Sequence, residues 1–572
     1  MTQESPPQSA PEESIQEGST PPADNDAPSI ARRLGWVLPT VLLVGLWLWQ
    51  ALSGSPHTTE AWLLPTLAIG VFATIVAVTT GYTRRPRQLS LLVLGLFLIH
   101  SLWLTAGMWW SDAPHAAWMA AVRTYGGLTT LTLGMCLLTG WASRMVFRAL
   151  LLVASLTLVA FVMIWAATHP AGVVSLFVGN PGSAALALPG GGPEITAALA
   201  LALIWPLLWQ ASDPKSPPFF RGVALAAVFG LISLGVLAQS SAAWLCLGTT
   251  AVLGLAFFPG RLRVLVCALV PAVMMVWAFP GLNDYAVKGP EVVGAQPLEF
   301  ILIVGMIVTG FIGTILSLLE NWVHVSRRMR FVFSALVLAA VTVAGTYGYM
   351  ILERQVGEPR LWLQTQAADI LGIRQSSLEL PKEQWRVAWR QYERHQWTGV
   401  GTGGMESHYL REREVPEPYE AGTGSWFFHA LGENGLPGAG LIAIGLLCAL
   451  VGMVWPRFSS GWRAGRATWL FRNRAPTSQA RWGLSAREFG WEFSLALAVT
   501  YCLLHAAIRP IWSEPAVAGL TMLLLSSGVA GVDARARVLW PQVSRHLAAQ
   551  PTRLLMDQTA AQQGMSGPQD RH

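Results

Sequence analysis

Apolar runs of membrane-spanning length, about 20 residues each, alternate with short polar breaks along most of the chain. They fall near residues 35 to 52, 61 to 82, 89 to 110, 124 to 141, 148 to 168, 193 to 211, 222 to 239 and 242 to 258. They continue near 264 to 280, 298 to 319, 331 to 351, 434 to 455, 490 to 508 and 514 to 532. Lipid offers backbone groups no hydrogen-bond partner, so such runs close their own hydrogen bonds as helices. The pattern predicts an all-α, polytopic integral membrane protein with about fourteen transmembrane helices, in a range of 12 to 14.

The breaks divide the chain. Residues 1–33 are rich in Pro, Ser and acids and lack large apolar side chains, which predicts a disordered cytoplasmic tail. The first apolar run starts too far in for a cleavable signal and reads as a retained anchor. Helices one to eleven occupy 34–351, one long loop fills 352–425, and helices twelve to fourteen occupy 426–532 with an Arg-rich loop near 456–488. Residues 533–572 form a second cytoplasmic tail.

Composition narrows the class. Of 572 residues, 53% are hydrophobic and 12% charged, where soluble domains carry about a quarter charged. That excludes a cytosolic enzyme, a disordered chain and a small disulfide scaffold. The five cysteines all lie inside apolar runs without metal-ligand or CxxC spacing, so they read as small buried hydrophobes. The net charge of +6 is not a nucleic-acid signal, because the basic residues follow the membrane. With the N-terminus cytoplasmic, 26 of 38 Lys and Arg fall on inside segments and three on short outside loops. This positive-inside bias puts both termini in the cytoplasm. The other nine basic residues lie in the 352–425 loop beside 11 acids. A loop this long between helices points to function.

Within the loop, Lys382, Arg386, Arg390 and Arg394 recur every fourth residue beside Trp385, Trp389 and Tyr392, with Pro381 suited to a first helical turn. This predicts an interfacial amphipathic helix. Its guanidinium groups either meet phosphates of a lipid-linked substrate or meet headgroups and water, with Glu383 and Glu393 as local partners. Gly399-Val400-Gly401-Thr402-Gly403-Gly404 follows. No strand pattern precedes it, so it reads first as a tight turn rather than a nucleotide loop. His408 comes next, His429 stands four residues before Glu433, and His505 stands four before Arg509 at the outer end of the thirteenth run. Histidine and carboxylate are the side chains suited to take a proton from a hydroxyl near neutral pH.

The order Lys382-x-x-Trp385-x-x-Ala388, then Gly399-Val400-Gly401-x-Gly403, then Leu431-Gly432-Glu433-Asn434-Gly435-Leu436-Pro437-Gly438 running into a helix, resembles the O-antigen ligase and polymerase family. Loop placement, three helices after the loop and both ends inside agree with it. The resemblance implies a membrane glycosyltransferase that moves a glycan from an undecaprenyl-pyrophosphate carrier to an acceptor hydroxyl in surface polysaccharide biosynthesis. The acceptor would be a glycan, lipid or protein; lipids surround the chain and nucleic acid is no partner. Two positions depart from the family pattern. Gly424-Ser425 stands where the family has His-Asn, with His429 the nearest histidine, and Gln239-Ser240-Ser241-Ala242-Ala243 stands where it often has Ser-Arg-Gly.

The expectation that follows is an inverting transfer without metal or cofactor. His408, His429 and Glu433 are its candidate catalytic residues, and Arg386, Arg390 and Arg509 its candidate phosphate ligands. The alternatives are a related polymerase, or a non-catalytic membrane protein that binds or transports a lipid-linked glycan.

Overall fold

A computed structural model describes residues 30–53, 59–80, 88–168, 176–178, 185–189, 191–258, 261–288, 296–322, 379–414, 424–463, 486–509 and 511–534. The run predicted near 331 to 351 lies outside the described residues, as do most of both tails, the loop segments 352–378 and 415–423, and most of the Arg-rich loop.

The described chain is helical in every other predicted run. The helices before the loop are α1 (Ile30–Leu52), α2 (Thr59–Thr80), α3 (Gln88–Ala106), α4 (Pro114–Leu137), α5 (Trp141–Thr168), α6 (Pro193–Ser212), α7 (Pro218–Leu237), α8 (Ser241–Phe257), α9 (Arg261–Lys288) and α10 (Gln296–Trp322). The loop adds α11 (Glu379–Arg394) and α12 (Met405–Glu412). Then come α13 (Trp426–Arg463), α14 (Ala486–Ile508) and α15 (Pro515–Ala534). Nine helices among the described residues are long and apolar enough to cross a membrane; apolar stretches in α1, α2 and α8 are shorter. The non-helical pairing is slight: Phe177–Val178 lies antiparallel to Ala185–Leu186 ahead of α6.

Apolar content all round a helix marks it for burial or for lipid, and packing decides which. The Ala- and Leu-rich α6 and α7 are buried along most of their length, together with α14 and α15. Helices α9 and α10 lie outside them, and α10 leaves Phe300, Ile307 and Phe311 exposed, as a lipid-facing surface would. Close approach explains the extensive contact between α7 and α10. A Cβ at Gly222 would collide with Thr314 and with the backbone of Gly310, so small residues at this crossing let two backbones meet. Cys246, Cys267 and Cys502 are buried thiols, while Cys136 and Cys448 are half-buried.

Polar side chains gather at the two ends of the bundle. At one end Arg221 donates to Ala211 O at 2.7 Å and to Glu320 at 2.8 Å, and Arg263 also pairs with Glu320. Arg148 stacks over Trp491 at 4.5 Å on the same end. The opposite end carries α11, α12 and the start of α13, where the candidate residues lie.

Candidate functional site

Helix α11 docks on the start of α13. Val387 and Ala388 are buried in that contact, and Trp385 stacks on Phe428 with centroids 5.7 Å apart. This face alternates with the basic stripe at helical pitch, so docking the apolar edge turns the arginines toward the segment that follows α12. There they meet acids. Arg386 pairs with Glu383 and Glu414, Arg390 with Glu414 at 2.9 Å, and Arg394 with Glu412. The hydrogen bonds from Arg386 and Arg390 hold the Glu414 carboxyl below the usual carboxylate range. Glu393, a partner expected from the sequence, instead accepts from Trp389 Nε1 at 2.7 Å. The side chain of Lys382 lies outside the described ones.

The glycine run is a turn. Gly399, Gly401 and Gly403 have φ of 65°, 90° and 76°, values open to glycine and costly to other residues. A Cβ at Gly401 would also stand 2.5 Å from Ser111 Cα. The turn wraps a break in α13, where Gly435 has φ 63° and separates a short outer helix from the long one. Backbone groups freed at the break find partners in the turn. Val400 N donates to Gly432 O at 3.0 Å, Gly401 N to Glu433 O at 2.9 Å, and Leu436 N to Gln396 O at 2.8 Å. The side chains repeat the pattern: Thr402 Oγ1 donates to Asn434 Oδ1 at 2.7 Å, and Gly403 N donates to Glu433 Oε1 at 2.9 Å. His100 on α3, a packing residue, lies 2.9 Å by Nδ1 from Gly438 O.

Glu433 is therefore held from two sides. Its Oε1 lies 3.0 Å from His429 Nε2, one helical turn earlier. The carboxylate side chain is 8% exposed and the imidazole 34%. An anchored carboxylate that accepts from Nε2–H fixes the ring and leaves Nδ1 with its lone pair. His429 also lines a small cavity with Gln384, Trp385, Met405, Ser425 and Phe428. Ser425 Oγ is buried there without a hydrogen-bond partner.

The remaining candidates go elsewhere. His408 faces Asp112 at 3.5 Å, a carboxylate shared with Arg411 at 3.1 Å; burial lowers the pKa of His408 and Asp112 opposes that shift. Arg509 lies 3.5 Å by Nε from Glu194 Oε1. Glu194 also accepts from His505 Nε2 at 3.1 Å and from Ser240 Oγ. Glu194 was missed in the sequence; the available signal was a lone acid at the mouth of an otherwise uncharged apolar run. Glu412 and Glu414 were missed because their partners are set by how α11 and α12 fold together. Among the described residues no group of three or more His, Cys, Asp or Glu could hold a metal ion.

Comparison with known families gives one finding that bears on this geometry. Residues 299–443 match a family model described as O-Antigen ligase, which supports membership of that family. The matched segment contains the glycine turn, His429 and Glu433, whereas Glu194, His505 and Arg509 lie outside it. No curated protein gives a significant match.

Proposed function

We propose, for a chain whose segment 299–443 matches an O-antigen ligase family model, that it transfers a glycan from an undecaprenyl-pyrophosphate carrier to an acceptor hydroxyl at the outer face of the inner membrane. The family match supports the coarser role in O-antigen or surface polysaccharide biosynthesis, with the chain in a glycosyltransferase-like class. The observation that carries the finer reading is the His429–Glu433 pair at 3.0 Å.

In this reading His429 Nδ1 takes the proton of the acceptor hydroxyl as its oxygen attacks the anomeric carbon of the donor. The carbon–oxygen bond to the pyrophosphate breaks, and the electron pair leaves with the phosphate. Attack opposite the leaving group inverts the anomeric configuration. Glu433 stabilises the imidazolium that forms and is a positioning residue, since the turn NH groups and His429 already occupy its carboxylate. His429 takes the place of the histidine that the family pattern sets at 424–425, where this chain has Gly424-Ser425. Arg386 and Arg390 supply positive charge for the leaving group. Both converge on Glu414, and its side chain is 60% exposed, so an incoming phosphate exchanges with a carboxylate that solvent already reaches. His408, held at Asp112, serves the fold of the loop rather than the transfer.

The same convergence on Glu414 favours a second reading, a glycan-binding protein without transfer, because the guanidinium groups are already neutralised. The surface glycan profile of a strain carrying His429→Gln separates the two. Loss of the glycan product at normal protein level is expected for the enzyme, and an unchanged profile would remove it. A ligase defect leaves polymerised repeats unattached, whereas a polymerase defect leaves single repeats attached.

A further inference from the structure

The outer ends of α6, α8 and α14 carry a second polar centre that the family match does not reach. Glu194 sits in the first turn of α6, and its carboxylate gathers Ser240 Oγ, His505 Nε2 at 3.1 Å and Arg509 Nε at 3.5 Å. The chain is bent sharply to deliver Ser240: the preceding Gln239 has φ 51°, an uncommon conformation for a residue with a Cβ. Ser240 Oγ also accepts from Ala243 N at 3.1 Å, capping α8.

The orphan in this centre is His505. Its side chain is 0% exposed, Nε2 is spent on Glu194, and Nδ1 is buried with no hydrogen-bond partner. Leaving such a nitrogen without a partner carries the cost of stripping it of water. That cost is retained where a ligand meets the group. Nδ1 is the lone-pair nitrogen when Nε2–H faces the carboxylate, so it accepts and calls for a donor such as a hydroxyl. Four residues on, Arg509 is 32% exposed and offers a planar cation to an anion reaching the same end of the bundle. Trp512, beside it, has its own buried Nε1 without a partner and packs edge-on against Trp426 at 4.9 Å, three residues before His429. The second centre thus adjoins the first through an aromatic contact.

We propose that Glu194, His505 and Arg509 form a glycan-diphosphate recognition centre in which His505 Nδ1 accepts from a sugar hydroxyl and Arg509 pairs with a neighbouring phosphate oxygen. Glu194 is its positioning residue, orienting the imidazole and holding the guanidinium. The ligand class rests on the proposed transfer from a lipid-linked glycan; the acceptor nitrogen and the cation stand independently of it.

The test uses detergent-solubilised full-length protein and two probes, farnesyl diphosphate and a farnesyl-diphospho-disaccharide, with Kd measured for each. His505→Gln keeps a donor in the Nε2 region for Glu194 but loses the Nδ1 acceptor. It is expected to weaken the disaccharide probe about tenfold, the worth of one polar hydrogen bond, and to leave farnesyl diphosphate unchanged. Arg509→Gln, at a partly exposed site, is expected to weaken both probes, and Glu194→Gln to weaken both as well. Wild-type protein that binds neither probe overturns the proposal, as does His505→Gln protein that remains folded and binds both as wild type does. His429→Gln separates this inference from the transfer reading. Retained binding with lost transfer supports both, while a wild type that binds through His505 yet forms no product sinks the transfer reading alone.

Discussion

Two histidines at the same end of the bundle each lean on a carboxylate, and the difference between them is access. His429 and Glu433 are one turn apart on a short helix, and the ring is one-third exposed beside a small cavity. His505 and Glu194 come from distant segments, and that ring is fully buried. An imidazole that exchanges protons with a substrate must be reached and left; one that recognises a hydroxyl gains from exclusion of water, which strengthens the hydrogen bond. The pair at the start of α13 therefore suits chemistry and the pair joining α6 to α14 suits recognition.

Substitutions sharpen the comparison through kinetics. His429→Gln is expected to lower kcat about 10²–10⁴-fold, the usual worth of a general base, with KM near wild type. Equal losses in KM and kcat at both histidines would erase the distinction drawn here. Glu433→Gln is expected to cost less, about 10²-fold in kcat, because a neutral amide still fills the site but no longer stabilises the imidazolium. Steady-state assays on both variants order the two effects.

Structural contributions come next. Gly401→Ala forces a Cβ to within 2.5 Å of Ser111 Cα at a φ of 90°, with an expected cost of about 1–3 kcal/mol. A lowered thermal midpoint, with the loop more open to protease, reads it out. An unchanged midpoint would mean that the turn does not clamp the break in α13.

The smallest effect is on pH. Arg386 and Arg390 depress the Glu414 pKa. Their contact therefore contributes fully above the unfolded carboxylate value, about 4.3, and is lost as pH falls through the lower folded value. His408 is likewise lowered, by burial, so its neutral form favours the fold and acidification below the unfolded value of about 6.5 begins to oppose it. Protection factors over 379–414, with the intrinsic pH dependence of amide exchange divided out, are expected to fall on acidification in two stages, His408→Asn removing the earlier one. Protection factors that are flat with pH would contradict the Glu414 pairings and the burial of His408.

Much of this was readable in the sequence, for physical reasons. Hydropathy finds helices because lipid leaves backbone groups no alternative, so α6, α7 and α14 fall where their apolar runs predict. The His429–Glu433 pair was legible because four residues on a helix share a face. The glycine turn was legible as a turn, although its hold on Glu433 was not. The α13 break at Gly435 coincides with the expected helix start near 434, yet its closure by Gln396 and Val400 depends on contacts more than thirty residues away. Glu194 and His505 are 311 residues apart, and no periodicity links them. The acids that neutralise Arg386 and Arg390 were hidden in the same way, since Glu414 is 24 residues beyond Arg390.

The most direct measurement of the central claim is product formation by purified wild-type protein supplied with a lipid-linked glycan and an acceptor in excess chelator, with the anomeric configuration read by NMR. The expected result is a product of inverted configuration formed without added divalent metal. A product with retained configuration, or one that appears only when divalent metal is restored, would contradict direct displacement assisted by His429.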